Sequence, residues 1–244
     1  MLFICGVPRS GTTALARLLN RHPAIGLGIE RYRHLAQRDA SRLDGQLFTR
    51  ERFFDFKEGD GARDVWEKFQ DEYRRLASKW ESCTVVGDKI PRLYVGADTL
   101  LRTQPQSRLI FISRKVEPIA ASWQRRADDP EDSSWPATND AAAAALEWNR
   151  GIHSALELAA AWPGRFLVVR YEDLLTGDPA SFAPVFEWLA LAPPAGFAEA
   201  YAELRSERPS SAPPLSEASL ERVRGSADFE SFGALDAIVR RASA

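Results

Sequence analysis

The chain is poor in several residues that would commit it to particular classes. Its 244 residues include two cysteines, Cys5 and Cys83. They match no metal-ligand spacing, so no metal is expected, and free thiols fit a reducing, cytoplasmic setting. Long hydrophobic runs are missing too. None reaches the ~18 residues of a membrane-spanning helix, so no membrane span is expected. The first residues carry neither a charged stretch nor a long apolar one, and no secretion signal is expected from them. The formal net charge is −2, which gives no electrostatic reason to expect a nucleic-acid partner. Lysine is scarce, with five (57, 68, 79, 89 and 115) among 32 basic residues. Together with the many alanines, that bias suggests a bacterium with a GC-rich genome.

What the chain does have is a short apolar run, a glycine-bounded turn and a helix opening, in that order. They read Leu2-Phe3-Ile4-Cys5, then Gly6-Val7-Pro8-Arg9-Ser10-Gly11-Thr12-Thr13. Cys5 reads as a small buried apolar residue of that first strand. Leu15, Leu18 and Leu19 give the following helix one apolar face. Backbone N–H groups of such a loop and first helical turn converge on one point, where the helix dipole adds partial positive charge. The spacing is the Gly-x4-Gly of a P-loop, but Thr12 follows Gly11 where a nucleoside triphosphatase needs lysine. The cation lies inside the loop instead, at Arg9. The cradle therefore reads as built for a nucleotide anion without the triphosphate machinery.

The run Gly-x-Pro-Arg-Ser-Gly-Thr-Thr resembles the 5′-phosphosulfate loop of sulfotransferases that use 3′-phosphoadenosine 5′-phosphosulfate (PAPS). The resemblance implies that Arg9, Ser10, Gly11, Thr12 and Thr13 hold the nucleotide. A second element, Arg108-Leu109-Ile110-Phe111-Ile112-Ser113-Arg114, is a strand ending in arginine, followed by a helix expected from Pro118 and by Ser122. It is similar to the element with which that family binds the 3′-phosphate. A guanidinium fork matches phosphate geometry, and a serine hydroxyl adds a donor. Arg170-Tyr171-Glu172-Asp173-Leu174 resembles a further signature of the same family, with an expected architectural role.

The resemblance also implies a catalytic carboxylate after the first helix and its His22-Pro23. Glu30, the first carboxylate after the loop, is the candidate general base, the alternative being a surface salt bridge with Arg31 or Arg33. Thr84-Val85-Val86 reads as the second strand, running into Gly87-Asp88-Lys89-Ile90-Pro91. Cytosolic members place a catalytic histidine in a similar element, and here Lys89 stands at that position. A lysine is a poor base at neutral pH but is suited to stabilising the transferring sulfonyl group or the departing phosphate. Asp88 is the alternative base, and a merely structural Asp–Lys pair is the plain reading. The late Arg-Lys-Gly-rich loop of cytosolic members is only faintly matched by Arg222-Val223-Arg224-Gly225, which leaves contact of Arg222 or Arg224 with nucleotide open.

The rest reads as framework. Residues 31–60 are polar and irregular. Arg31, Arg33, Arg38 and Arg42 there suit either an acidic acceptor or a solvated face. Phe53, Phe54 and Phe56 suit packing or an apolar acceptor wall. Trp66, Phe69, Tyr73, Leu76 and Trp80 recur at helical spacing as one apolar stripe. Residues 128–139 read as a surface loop. Asp140 caps a helix through Ala161, with Leu146, Ile152, Leu156, Ala159 and Ala160 as its inward face and His153 in a structural role. Asp178-Pro179 starts another helix, with Phe182, Val185, Phe186 and Leu189 apolar. Glu207 to Ser216 is a Pro/Ser-rich loop.

The expected architecture is one α/β domain over 1–244 with a mainly parallel central sheet flanked by helices. Segments 31–80 and 128–139 are candidate acceptor-binding insertions. The expected activity is in-line transfer of a sulfonyl group from PAPS to a hydroxyl or amine of a carbohydrate, glycolipid or specialised metabolite, with no metal. A P-loop-type small-molecule kinase and a non-catalytic nucleotide-binding protein are the alternatives.

Overall fold

Strand β1 (Leu2–Cys5) is buried along its whole length. An apolar run without polar alternation suits a strand covered on both faces. In the computed structural model, which describes residues 1–61, 63–206 and 213–242, β1 is the middle of the sheet. β2 (Ile25–Ile29), β3 (Val85–Lys89), β4 (Arg108–Ser113) and β5 (Phe166–Arg170) follow in the chain. The spatial order is β2-β3-β1-β4-β5, and every pairing is parallel.

Because the strands are parallel, their carboxyl ends share one edge. Ile4 pairs with Lys89 and with Ile110, and Ile29 also pairs with Lys89. Ser113 pairs with Arg170. The loop after β1, Glu30 after β2, Lys89 ending β3, Arg114 after β4 and Tyr171 after β5 therefore gather at one end of the sheet. The chain leaves β1 toward β2 and β3 on one side, then crosses to β4 and β5 on the other. That reversal is where open α/β sheets form their ligand crevice.

Strand alternation divides the core in two. Phe3, Cys5, Leu109 and Phe111 pack on the helices Ala97–Thr103, Val116–Ala127 and Ala141–Ala161. Leu2, Ile4, Ile110 and Ile112 pack on α1 (Thr12–Leu19) and on the helices Ala183–Trp188 and Phe197–Ser206. The expected helix caps at Asp140 and Asp178 are present, their side chains accepting from Ala143 N and Ala180 N. Phe182, Val185, Phe186 and Leu189 are all buried.

Several expectations are corrected. β3 is third in the chain, not second, and Gly87, Asp88 and Lys89 lie within it. The helix expected from Pro118 starts two residues earlier, at Val116. Leu146 is 65% exposed. Ile152 is buried as expected, and the rest of that helix's inward face is built by Ala141, Ala144, Ala145, Trp148, Gly151, Ala155 and Leu158. Small residues face inward because the helix passes close beneath the first loop. A Cβ on Gly151 would lie 2.6 Å from Val7. The aromatic stripe belongs to two helices, Arg63–Lys68 and Gln70–Lys79, broken at Phe69. Phe69, Tyr73, Leu76 and Trp80 are buried, while the side chain of Trp66 and residues 207–212 of the Pro/Ser-rich loop lie outside the described residues.

Residues 31–60 hold more structure than their polarity announces, including the helices Arg33–Arg38 and Arg50–Phe54. Arg31 is not a surface arginine. Its side chain is 1% exposed and pairs with Asp60 at 2.8 Å, its Nε donates to Phe53 O, and its guanidinium lies 4.0 Å from the Phe56 ring centroid. Arg52 engages the second Asp60 oxygen. A buried charge persists only when paired and hydrogen-bonded in this way. Phe53 stacks on Trp80 with centroids 4.4 Å apart, so it is packing rather than a cleft wall. Among the described residues, no helix is long and apolar enough to cross a membrane.

Candidate active site

The loop between β1 and α1 is held from both sides. Gly6 N donates to Pro91 O, and Ser10 N donates to Val7 O, each at 2.9 Å. Trp123 Nε1 donates to Pro8 O at 3.0 Å. Arg9 and Gly11 both have left-handed backbone, with φ of 78° and 99°. Alternation of left-handed and helical residues makes successive N–H groups converge into an anion nest. Gly11 admits no replacement, since a Cβ there would lie 2.6 Å from the Tyr171 ring. α1 starts without a side-chain cap and without an acid in its first turn, which leaves its N-terminal N–H groups and dipole to a ligand. Ser10 Oγ is buried with no hydrogen-bond partner, a state rare in folded proteins.

A cluster of guanidinium groups adjoins this loop. Arg9 Nε donates to Ser122 Oγ at 2.8 Å. Arg114 Nη1 donates to Arg9 O at 2.9 Å, and its guanidinium lies 3.8 Å from the Tyr171 ring centroid. Trp148 Nε1 fixes the backbone there by donating to Arg114 O. Arg126 pairs with Asp132 at 2.5 Å and lies over Trp135. Burial pulls the Arg9 pKa down, and the like charges of Arg126, Arg125 and Arg114 pull it further, with Asp132 only partly opposing them. Positive charge in such excess calls for an anion.

Glu30 and Lys89 meet at the ends of β2 and β3. Glu30 has φ of 58° and donates its N–H to Lys89 O at 2.8 Å. Its carboxylate takes Lys89 Nζ on one oxygen at 2.7 Å and Arg33 Nη1 on the other at 3.0 Å. Burial pushes the Glu30 carboxyl up, but the Lys89 and Arg33 charges outweigh it, and the pKa lies below the usual range. Burial draws the Lys89 ammonium down from the usual lysine value, although Glu30 holds its charge. Asp88, the other carboxylate considered as base, is fully buried. Its two oxygens accept from Arg31 N at 3.1 Å and Tyr32 N at 2.8 Å, so it holds the turn that carries Glu30. Burial pushes its pKa up to about 7.

These groups line one cleft of about 1250 Å³. Arg9, Gly11, Thr12, Thr13, Glu30, Lys89, Arg114 and Ser122 are all on its wall, while Ser10 lies beneath the loop. Ten arginines and lysines line the cleft against two acids, Glu30 and Asp39. The chain as a whole carries a net charge of −2, so this is a local concentration of positive charge.

The sequence reading missed Tyr171, Arg92, Arg125, Arg126 and Trp135, all of which line the cleft. Tyr171 directly follows β5, so the rule that ligands gather at strand carboxyl ends would have found it. Arg125 and Arg126 lie one helical turn beyond Ser122, a neighbour relation readable from spacing. Arg222 and Arg224 do not reach the cleft. Arg224 pairs with Glu117 at 3.4 Å, and Arg222 bonds Ala218 O and Ser219 within its own helix. His153 pairs with Asp228 at 2.7 Å, away from the cleft.

A model of the sulfotransferase family matches residues 2–194 of the chain. No curated protein sequence matches it. Among solved structures, the sulfotransferase STF9 from Mycobacterium avium is similar with a TM-score of 0.53 at 19% identity, over 97% of this chain and 74% of that one. STF1 from Mycobacterium tuberculosis H37Rv gives 0.52 at 20% identity, over 92% and 76%. A sulfotransferase from Alicyclobacillus acidocaldarius gives 0.53 at 14% identity, over 98% and 95%. At such identities these likenesses speak to the fold alone.

Proposed function

The chain belongs to the sulfotransferase family, and from that premise we propose that it moves the sulfonyl group of PAPS to a hydroxyl or amine of a carbohydrate, glycolipid or specialised metabolite. The observation that carries the reading is the arginine cluster joined to the cradle through Arg9 and Ser122. A nucleotide with phosphate on both its 5′ and 3′ sides needs two anion sites at a fixed separation. The cradle of Ser10, Gly11, Thr12 and Thr13 takes the 5′ side, and Arg9, Arg114 and Ser122 take the 3′-phosphate. The surplus charge around Arg9 fits a ligand that carries two anionic groups.

PAPS supplies an activated sulfonyl group on a good leaving phosphate. In an in-line displacement the acceptor oxygen or nitrogen bonds to sulfur, the bond from sulfur to the phosphate oxygen breaks, and adenosine 3′,5′-bisphosphate departs. Glu30 takes the acceptor proton. Its two ion pairs keep it ionised and therefore able to accept, but they also make it a weak base. Lys89 directed at the transferring group rather than at Glu30 strengthens that base and stabilises the charge on the departing phosphate. Asp88 orients Glu30 through the turn at Arg31 and Tyr32.

Family membership displaces the kinase and non-catalytic alternatives, and the residue after Gly11 is Thr12 rather than a P-loop lysine. The test is transfer of label from [³⁵S]PAPS and from [γ-³²P]ATP with magnesium to a pool of hydroxylated acceptors. Sulfur transfer that Glu30→Gln slows about 10²-fold or more is the expected result. Transfer of phosphorus and not sulfur overturns the reading.

A further inference from the structure

The cleft has two halves, set by the strand order. The ends of β1, β4 and β5 carry the cradle, Arg114 and Tyr171. The ends of β2 and β3 carry Glu30 and Lys89, and the cleft continues past them between α1, the helices Arg33–Arg38 and Arg63–Lys68, and the segment after Pro91. In the proposed reaction this second half receives the acceptor.

Its charges are not balanced. Arg33 is engaged by Glu30 at 3.0 Å, and Arg92 by Glu147 at 2.8 Å. Asp39, the one further acid on the cleft wall, is occupied by Ser41, accepting from its N–H at 2.9 Å and its hydroxyl at 2.7 Å. Arg17 is engaged by Glu72. Two cations of this half have no carboxylate partner among the described residues. Lys68 lies over the Phe69 ring, 5.7 Å from its centroid. Arg38 donates only to backbone carbonyls, His34 O at 3.2 Å and Gly59 O, and no carboxylate among the described residues pairs with it. Apolar and small residues also line the cleft, among them Ala36, Ala40, Leu93 and Gly96. Nucleotide phosphates are matched by the other half, so these charges are left for the acceptor.

Resting on the sulfonyl-transfer reading, we infer that the acceptor carries a negatively charged oxyacid group beside the group that is modified, and that Arg38 and Lys68 receive it. The chemistry is that of a carboxylate, sulfate or phosphate on a compact ring whose apolar face meets these small residues. Guanidinium and ammonium donors to such an oxyanion make charge-assisted bonds, which are stronger than neutral ones. Glu30 faces the same half, but its own two ion pairs keep it from repelling an incoming anion.

The test is calorimetric titration of the protein saturated with adenosine 3′,5′-bisphosphate. The probes are 4-nitrophenyl β-D-glucoside, its glucuronide counterpart, and its 6-sulfate and 6-phosphate. The expected result is that at least one anionic probe binds about tenfold or more tightly than the neutral glucoside; the ranking of the three distinguishes the oxyacids. In the Arg38→Gln/Lys68→Gln variant, whose altered side chains are both exposed, that advantage falls to about twofold while bisphosphate affinity stays unchanged. Equal affinities, no binding of any anionic probe, or an advantage that survives in the variant overturns the inference. Failure of the wild type to bind the bisphosphate overturns the sulfonyl-transfer reading instead, and it is seen in the first titration.

Discussion

Arg9 Nε donates to Ser122 Oγ at 2.8 Å across 113 residues of sequence. This bond ties the loop after β1 to the helix after β4, and so links the two anion sites that a 3′-phosphorylated nucleotide requires. Arg9 reaches it from left-handed backbone, φ 78°, a conformation that costs a non-glycine residue about 1 kcal/mol or more and is retained where the site needs it. Ser122→Ala removes one neutral partner of the cluster and leaves the core intact. The expected outcome is bisphosphate binding weakened about 3- to 10-fold, the range of a single net hydrogen bond, with an unchanged thermal midpoint. Calorimetry beside a melting curve checks it.

Glu30→Gln keeps the shape of the side chain and removes the base. Turnover with PAPS and a responsive acceptor is expected to fall about 10²- to 10⁴-fold, the usual contribution of general-base catalysis. Bisphosphate affinity is expected to change by less than about threefold, because Glu30 lies outside the nucleotide half. Single-turnover rates together with equilibrium binding separate the two effects. Near wild-type turnover removes Glu30 from the base role.

Gly11→Ala places a Cβ 2.6 Å from Tyr171 at a φ of 99°. Both the contact and the backbone are strained, so the loop cannot keep its shape. Bisphosphate binding is expected to be lost in Gly11→Ala. In Tyr171→Ala it is expected to weaken several-fold, through loss of a cation–π contact worth about 0.5–2 kcal/mol. A Gly11→Ala protein that binds normally contradicts the cradle assignment.

Asp88 gives a pH prediction. Its carboxyl lies at about 7 in the folded protein against an ordinary 3.8, because burial disfavours the charge. The folded state therefore holds this proton more tightly than the unfolded state does. The stability it adds is fully present below about pH 4 and is lost as pH rises to about 7. Across that window the denaturation midpoint of the wild type is expected to fall relative to that of Asp88→Asn, which lacks the titration. Parallel pH profiles for the two proteins contradict the assignment.

Strands β1, β4 and β5 and the first loop were legible because a doubly covered strand reads as an unbroken apolar run and a phosphate cradle needs its glycines at fixed spacing, whereas β3 was read short because Gly87, Asp88 and Lys89 interrupt its apolar run. Arg114 and Ser122 were singled out by the resemblance, since an arginine and a serine eight residues apart say little alone, and both lie on the cleft wall. Most of the inward face of the Ala141–Ala161 helix was not legible. Alanine is neutral between core and surface, so Leu146 attracted the assignment that Ala144, Ala145 and Trp148 hold. Leu146→Gln is accordingly expected to change stability by less than about 0.5 kcal/mol, and Ile152→Ala to cost about 2–5 kcal/mol, both readable by denaturant titration. The burial of Arg31 was not legible either. Its partner Asp60 is 29 residues away, and nothing local distinguishes it from the exposed Arg38 and Arg42.

The central claim is that Arg9, Arg114 and Ser122 read a 3′-phosphate. The most direct measurement compares the dissociation constants of adenosine 3′,5′-bisphosphate and adenosine 5′-monophosphate, which differ only in that group, for the wild type and Arg114→Ala. The expected result is a preference of about 10- to 100-fold for the bisphosphate in the wild type, the range of a charge-assisted phosphate contact, shrinking toward equality in the variant. Equal affinities in the wild type, or a preference untouched by the loss of Arg114, contradicts the assignment.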